Sequence, residues 1–256
     1  RECVFARCAL RAADFRGADL RGAKFAACDL VGARFDDAKL DGCAMVVCLL
    51  ANAVFDGAHV GGFAASKCGF DGVSFAGVAS ATEPSEDPDE PPRGLRLVKC
   101  ELAGLRGLPT ELSHAAFVQS DLKGVSFGAL GVGAVRESVL VDADLSGASL
   151  AGVTFERCQF AQADLSGADL TGATLDTCGF EGAKVTAEAV GSAAAVRGSR
   201  FTEADLGGVS LAGKDATGCM FIKSAMAGSD LSGAQLSSAV FVETDASRSK
   251  IGACEA

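Results

Sequence analysis

Eleven cysteines, two histidines and a recurring aspartate are the residues of this 256-residue chain whose chemistry first needs placing. The cysteine count is odd, no C-x-x-C occurs, and His59 and His114 stand far apart, so neither a disulfide framework nor zinc spacing is present. Gly124-Val125-Ser126-Phe127-Gly128 matches the G-x-S-x-G nucleophile elbow, which needs a strand–turn–helix setting and a nearby histidine. Gly208–Asp215 is one residue short of a phosphate-binding loop and puts Asp215 where a magnesium-binding Ser or Thr belongs. Gly131-Val132-Gly133 lacks the remainder of a dinucleotide fingerprint. No catalytic set, cofactor or metal is expected, and the chain is read as a non-enzyme.

The elements that carry these residues follow a period of five, which fits neither a helix nor a strand. Phe5, Leu10, Phe15, Leu20, Phe25, Leu30, Phe35, Leu40, Met45, Leu50, Phe55 and Val60 are all large and apolar. Two residues before each of them stands Ala or Cys, and Gly recurs two residues after, at Gly17, Gly22, Gly32, Gly42 and Gly57. A short extended stretch followed by a tight turn satisfies this period, because strand alternation turns the small and the large residue to the same side. Glycine then supplies the positive φ of the turn. The same register returns in Leu145, Leu150, Phe155, Phe160, Leu165, Leu170 and Phe180, and after one inserted residue in Phe201, Leu206, Phe221, Leu231 and Phe241. These residues are the expected core. Cysteines take the inward slot where alanine is the alternative, so they are read as free, buried, small hydrophobes. Asp14, Asp19, Asp29, Asp144, Asp164, Asp169, Asp205 and Asp230 share one fixed slot in which a short carboxylate bonds turn backbone or meets solvent.

The units Ala18-Asp19-Leu20-Arg21-Gly22, Ala143-Asp144-Leu145-Ser146-Gly147 and Ala168-Asp169-Leu170-Thr171-Gly172 resemble the pentapeptide-repeat family. The resemblance implies an all-β fold, a right-handed quadrilateral parallel β-helix with four pentapeptides per coil. Side chains 20 apart then stack, as the columns Phe15, Phe35, Phe55, Phe75 and Cys8, Cys28, Cys48, Cys68 require. Roughly eleven coils are expected, and at about 4.8 Å per coil the rod is roughly 50 Å long.

The pattern breaks in five places. Phe63 and Ala65 exchange the large and small slots, so the fourth coil is expected to be distorted. Ser80–Arg93 holds four of the five prolines and five acidic residues, a composition that reads as an exposed loop or linker. It separates a first β-helix segment, 1–79, from a second, 94–256, expected to continue it, because a cut there would leave two more open ends. Irregular insertions are expected at 103–111 and 128–137, and a helical turn capped by Thr186 at 186–195.

The net charge of −10 and the lack of clustered Lys and Arg speak against direct nucleic-acid binding. Residues 1–79 carry nine basic and nine acidic groups, so the negative excess lies in the proline-rich segment and the later coils. No run long enough to span a membrane and no secretion signal is visible, and the expected compartment is the cytoplasm. Arg1 in place of Met is read as a processed chain or a fragment.

Two functions follow. The first is a rigid protein–protein interaction or scaffold module within a larger bacterial, secretion-associated protein, with Glu83, Glu86, Asp87, Asp89 and Glu90 as its contact loop. The second is implied by the resemblance alone: a DNA mimic that binds DNA gyrase or topoisomerase and protects it from inhibitors. The balanced charge of the first 79 residues, and a tail at Ser249–Ala256 without the apolar helix by which such members dimerise, count against it.

Overall fold

The computed structural model describes residues 3–79 and 94–252. Its regular strands are three residues long, each centred on an inward residue, as five-residue segments bounded by corners require. In chain order they are β1 (Val4–Ala6), β2 (Lys24–Ala26), β3 (Ala44–Val46), β4 (Ala64–Ser66), β5 (Arg96–Val98), β6 (Glu111–Ser113), β7 (Ala134–Arg136), β8 (Thr154–Glu156) and β9 (Thr174–Asp176). Then come β10 (Gly179–Glu181), the helix α1 (Ala187–Ser192), β11 (Arg200–Thr202), β12 (Met220–Ile222) and β13 (Val240–Val242).

Every strand pairing is parallel and joins a segment to its counterpart one coil later. Phe5 lies opposite Phe25, Phe25 opposite Met45, and Phe201 opposite Phe221. Isolated bridges such as Asp14↔Arg34↔Val54↔Ser74 continue the ladder on the other sides. The result is a β-solenoid of about 11 turns. Its faces are named here for their first inward residue: face 1 for Phe5, face 2 for Leu10, face 3 for Phe15 and face 4 for Leu20. Strands β1–β5 and β10–β13 lie on face 1, and β6–β9 lie on face 4.

The core is a stack of identical layers. Phe15, Phe35, Phe55 and Phe75 stack at 4.9, 4.7 and 4.7 Å between ring centroids. Phe160, Phe180, Phe201 and Phe221 form a second column at 4.9, 5.0 and 5.5 Å. Parallel stacking at the coil repeat lets each ring cover its neighbours on both sides. Phe25, Leu30, Phe35, Leu40, Phe55, Leu145, Leu150, Phe155, Phe160, Leu165, Leu170, Phe180, Phe201, Leu206, Phe221 and Leu231 are buried, as is Leu20 in the first turn. Phe5, Leu10 and Phe15 point inward but stay half-buried, since no described coil lies above them. Phe241, expected in the core, is 40% exposed. It stacks on Phe221 at 5.1 Å with one side covered and the other open.

The expected distortion at Phe63 and Ala65 does not occur. Ala64 keeps register with Ala44 and with Arg96, and both Phe63 and Ala65 are buried. The Phe63 ring reaches edge-on between Phe55 and Phe75, at 5.9 and 6.2 Å, and so fills the volume that Ala65 leaves. Nor is 103–111 an insertion, because Arg96 bridges Ala116 at the ordinary spacing of a coil. In 128–137 the irregularity ends early: a turn closed by Leu130 N–H to Ser126 O leads into β7, whose Val135 is fully buried. Helix α1 forms at 187–192, and the Thr186 hydroxyl accepts the Ala189 N–H at 3.2 Å, the N-cap expected of a threonine there. β4 and β5 pair directly although 32 residues separate Ala64 from Arg96. The segment 80–93, including Glu83, Glu86, Asp87, Asp89 and Glu90, lies outside the described residues.

Candidate interaction surfaces

Two kinds of corner position every outward group. At a turn corner the N–H three residues after the inward residue returns to its carbonyl, as Ala13 to Leu10 at 3.1 Å and Ala18 to Phe15 at 3.0 Å. Gly17, at φ 65°, is the left-handed residue such a turn needs. At an extended corner the strand runs on, and the left-handed residue is not glycine: Arg7, Ala27, Val47, Lys67 and Lys99 on face 1, and His114, Glu137, Arg157 and Thr177 on face 4. No turn bond closes these corners, and at four of them, those of Val47, Lys99, His114 and Thr177, a side chain of the next coil takes its place.

Cys8, Cys28, Cys48, Cys68, Cys100, Cys158 and Cys178 belong to this second kind, whereas Cys43 and Cys219 follow turn corners whose N–H bonds are closed by Leu40 O and Ala216 O. Cys48 N–H donates to Cys68 Sγ at 3.4 Å, and Cys68 Sγ–H donates to Met45 O at 3.7 Å. Cys28, Cys100, Cys158 and Cys178 donate in the same way to Phe5, Ala65, Val135 and Phe155. Serine serves equally: Ser120, Ser138 and Ser199 accept the corner N–H of Cys100, Ala115 and Cys178 at 3.0–3.1 Å. These residues are therefore small, buried hydrogen-bonding groups, more than the alanine substitutes their spacing suggested. Burial pushes the thiols of Cys43 and Cys219 up to about 12, which keeps them protonated at neutral pH. Among the described residues no cluster of His, Cys, Asp and Glu has the arrangement to hold a metal ion.

The aspartate slot is structural too. Asp19, Asp29, Asp144, Asp164, Asp169, Asp205 and Asp230 each accept the N–H two residues on, at 2.9–3.4 Å. Asp164 is lowered to about 2, first by the Ser166 hydroxyl, then by Lys184 and the Ser166 N–H. Asp14 is likewise held low, mainly by Arg16.

The motif residues are dispersed. Ser126 bridges Ser149 on face 3 while Val125 and Phe127 point inward, and its hydroxyl accepts the Ala129 N–H at 3.3 Å. His59 is exposed on face 4 between Lys39 and Ala79, and His114 Nδ1 lies 3.4 Å from Glu137. Lys214 donates to Ala193 O, and Val209 and Leu211 fill core layers. None of these places brings a nucleophile, a base and an oxyanion donor together.

What remains is surface, and its charge is arranged by coil. In the first coils cations and anions of one turn cancel: Asp14 with Arg16 at 2.6 Å, Asp19 with Arg21 at 2.7 Å, Arg34 with Asp36 at 2.7 Å. Along the face 4 corner a network runs through Glu111, Arg136, Glu156, Arg157 and Glu137. Solvent screens exposed pairs of this kind, so they add little to stability. Face 2 differs: Glu101, Asp121, Asp144 and Asp164 follow one another on consecutive rungs. Of these four, only Asp164 has a cation in ion-pair range among the described residues, Lys184 at 2.9 Å.

A regular solenoid with a hydrogen-bonded interior and its ionisable groups in outward ladders defines a repeat protein. The family model for pentapeptide repeats matches residues 3–42, 28–63, 138–176 and 199–237, and the chain belongs to that family. A trypsin-treated variant of QnrB1, described as a plasmid-mediated fluoroquinolone resistance protein, is 19% identical over 71% of this chain and 83% of its own, with a TM-score of 0.46. HetL from the cyanobacterium Nostoc, a pentapeptide repeat protein involved in heterocyst differentiation regulation, is 19% identical over 98% of this chain and 88% of its own, TM-score 0.25. Rfr23 from Cyanothece 51142 is 17% identical over 56% and 92%, TM-score 0.28. No curated protein matches the chain in sequence. Among the described residues no helix is long and apolar enough to cross a membrane.

Proposed function

We propose that this protein is a rigid, non-enzymatic interaction module that presents fixed ladders of side chains to a protein partner. One observation carries the reading: the backbone is bonded coil to coil and the side-chain slots of the interior are filled, so variation in the outward positions changes recognition without changing the fold. A photo-crosslinking residue placed in turn at Lys39 (face 4), Asp164 (face 2), Ser210 (face 3) and Ala116 (face 1) tests it in the host cell. Crosslinks to one partner from one or two faces are the expected result; none from any face overturns the proposal.

The acidic stripe of face 2 favours a second reading, a surface that occupies the DNA-binding groove of a gyrase or topoisomerase. Four carboxylates on consecutive rungs form a line of negative charge about 14 Å long at the coil spacing, of the sign a phosphate-binding groove attracts. Purified gyrase with and without an inhibitor decides it. Changed supercoiling at micromolar protein, lost in an Asp121→Asn/Asp144→Asn variant, is expected on this reading, and unchanged supercoiling removes it.

A further inference from the structure

Among the described residues, the exposed large hydrophobic side chains fall into two groups. Val4, Val240, Phe241, Val242 and Ile251 belong to the first and last described coils, where no further described coil covers them. Val46, Val47 and Leu49 stand in the third coil with described coils on both sides, yet they are 44%, 52% and 60% exposed. A place at the end of the stack therefore does not explain their exposure.

Val47 and Leu49 each forgo a feature that several counterparts in other coils have. Val47 holds φ at 55°, a left-handed conformation that a β-branched side chain tolerates badly. In the same column the slot is filled by Arg7, Ala27, Lys67 and Lys99. Leu49 occupies the slot where Asp29, Asp144 and Asp164 accept a turn N–H, and it makes no such bond. Lys67 and Lys99 follow each other on adjacent rungs, both exposed and neither in an ion pair with a described residue, so like charges lie one coil spacing apart. In between, Gly69 leaves a gap in the outer row of face 2, where an added Cβ would meet nothing nearer than Glu101 Oε2 at 3.9 Å. Val47, Leu49, Lys67, Gly69, Lys99 and Glu101 line a groove of about 380 Å³.

Strain, exposed apolar surface and unneutralised charge in one place are what a surface shaped for an occupant shows. We propose that this groove binds an acidic, apolar segment of a partner protein. A large side chain of the partner enters the gap at Gly69 against Val47 and Leu49, and a carboxylate beside it lies between Lys67 and Lys99. Charge complementarity selects that occupant, since Lys67 and Lys99 have no described counter-ion and outnumber the one carboxylate of the groove, Glu101, on a protein whose net charge is −10. This names the partner class for the interaction role proposed above and rests on it.

The probe is a fluorescein-labelled peptide of Glu, Asp, Leu and Phe, with matched peptides carrying Lys for the acids or Ser for the apolar residues, read by fluorescence anisotropy at low salt. The acidic, apolar peptide should bind at least about tenfold more tightly than either control. Val47→Asn, Leu49→Asn and Lys67→Glu/Lys99→Glu should each weaken it about tenfold or more. The first two variants should also raise Tm, Val47→Asn by about 2 °C, because asparagine accepts the left-handed slot and restores the turn bond at position 49. A purely structural residue would lower it. Equal binding of the three peptides, no binding up to about millimolar protein, or wild-type affinity in the variants overturns the proposal. So does a preference for phosphatidylserine vesicles lost in the same variants, which would assign the groove to a membrane surface. If crosslinks form from other faces while the peptide fails, only this site falls. If no face crosslinks, the interaction role fails as well.

Discussion

Ser199 tests the side-chain closure of the extended corners most directly. Its hydroxyl accepts the Cys178 N–H at 3.1 Å and donates to Leu175 O at 3.2 Å, in a fully buried position. Ser199→Ala removes few atoms but leaves a buried backbone N–H with no acceptor. That loss costs about 1–3 kcal/mol, against well under 1 kcal/mol for the volume alone. Cys43→Ala is the matched control. Cys43 is equally buried, but at a turn corner its N–H already bonds Leu40 O at 2.8 Å, and its thiol makes no bond. The reasoning therefore predicts a drop of roughly 4–8 °C in Tm for Ser199→Ala and a small one for Cys43→Ala. Ser199→Cys should recover most of the difference, since Cys68 performs the same task elsewhere. The chain has no Trp or Tyr, so unfolding is followed by far-ultraviolet circular dichroism, with amide exchange at Cys178 as the local readout. Equal destabilisation by the two alanine variants, or unchanged protection of the Cys178 amide, would refute the accounting.

Four other outcomes follow from the same structure. Phe55→Ala, which opens a column at a ring stacked on both sides, should cost about 3–5 kcal/mol in chemical denaturation. Gly94→Ala should destabilise by about 1–3 kcal/mol, because its Cβ would run into the backbone carbonyls of Ser113 and His114, which have no flexible end to move. The carboxyl of Asp164 is lowered from 3.8 to about 2, so its contribution is present above pH 4 and is lost as pH falls through 2. The stability gap between wild type and Asp164→Asn should accordingly narrow below pH 4 and close near pH 2 in acid denaturation. Finally, β4–β5 pairing across the proline-rich segment motivates the proposal that 1–79 and 94–256 are one solenoid. Replacing 80–93 with Gly-Ser should leave a single unfolding transition, whereas two separated transitions would divide the chain.

The fold was legible because one short rule, repeated, is enough to specify it. A large residue at every fifth position fixes which side faces the axis, and the columns 20 apart fix the number of residues per coil. Coverage is a different matter: periodicity places Phe241 inward, but the coil that would cover it is a property of the stack. Periodicity also treats the exchange of Phe63 and Ala65 as a fault. In the solenoid both slots point into the same layer, so one large and one small residue fill it in either order.

The surfaces were less legible, for a reason that lies in the corners. The strings FARC, FAAC, MVVC and ASKC differ from DLRGA by replacing Gly-Ala with a non-glycine residue and cysteine, and this pairing marks a corner without a turn bond. Reading the cysteines as alanine substitutes removed the polar half of that signal. Once the corner type is known, outward positions acquire expected occupants: Asp where an N–H awaits an acceptor, and a flexible or small residue where φ is positive. A departure from those expectations then becomes informative without any relative to compare. Val47 and Leu49 depart from both in the same coil, on the groove that Lys67 and Lys99 border, and neither is compensated by burial. In a solenoid the other coils supply the reference state, so recognition is to be sought where one coil forgoes a bond that its neighbours make.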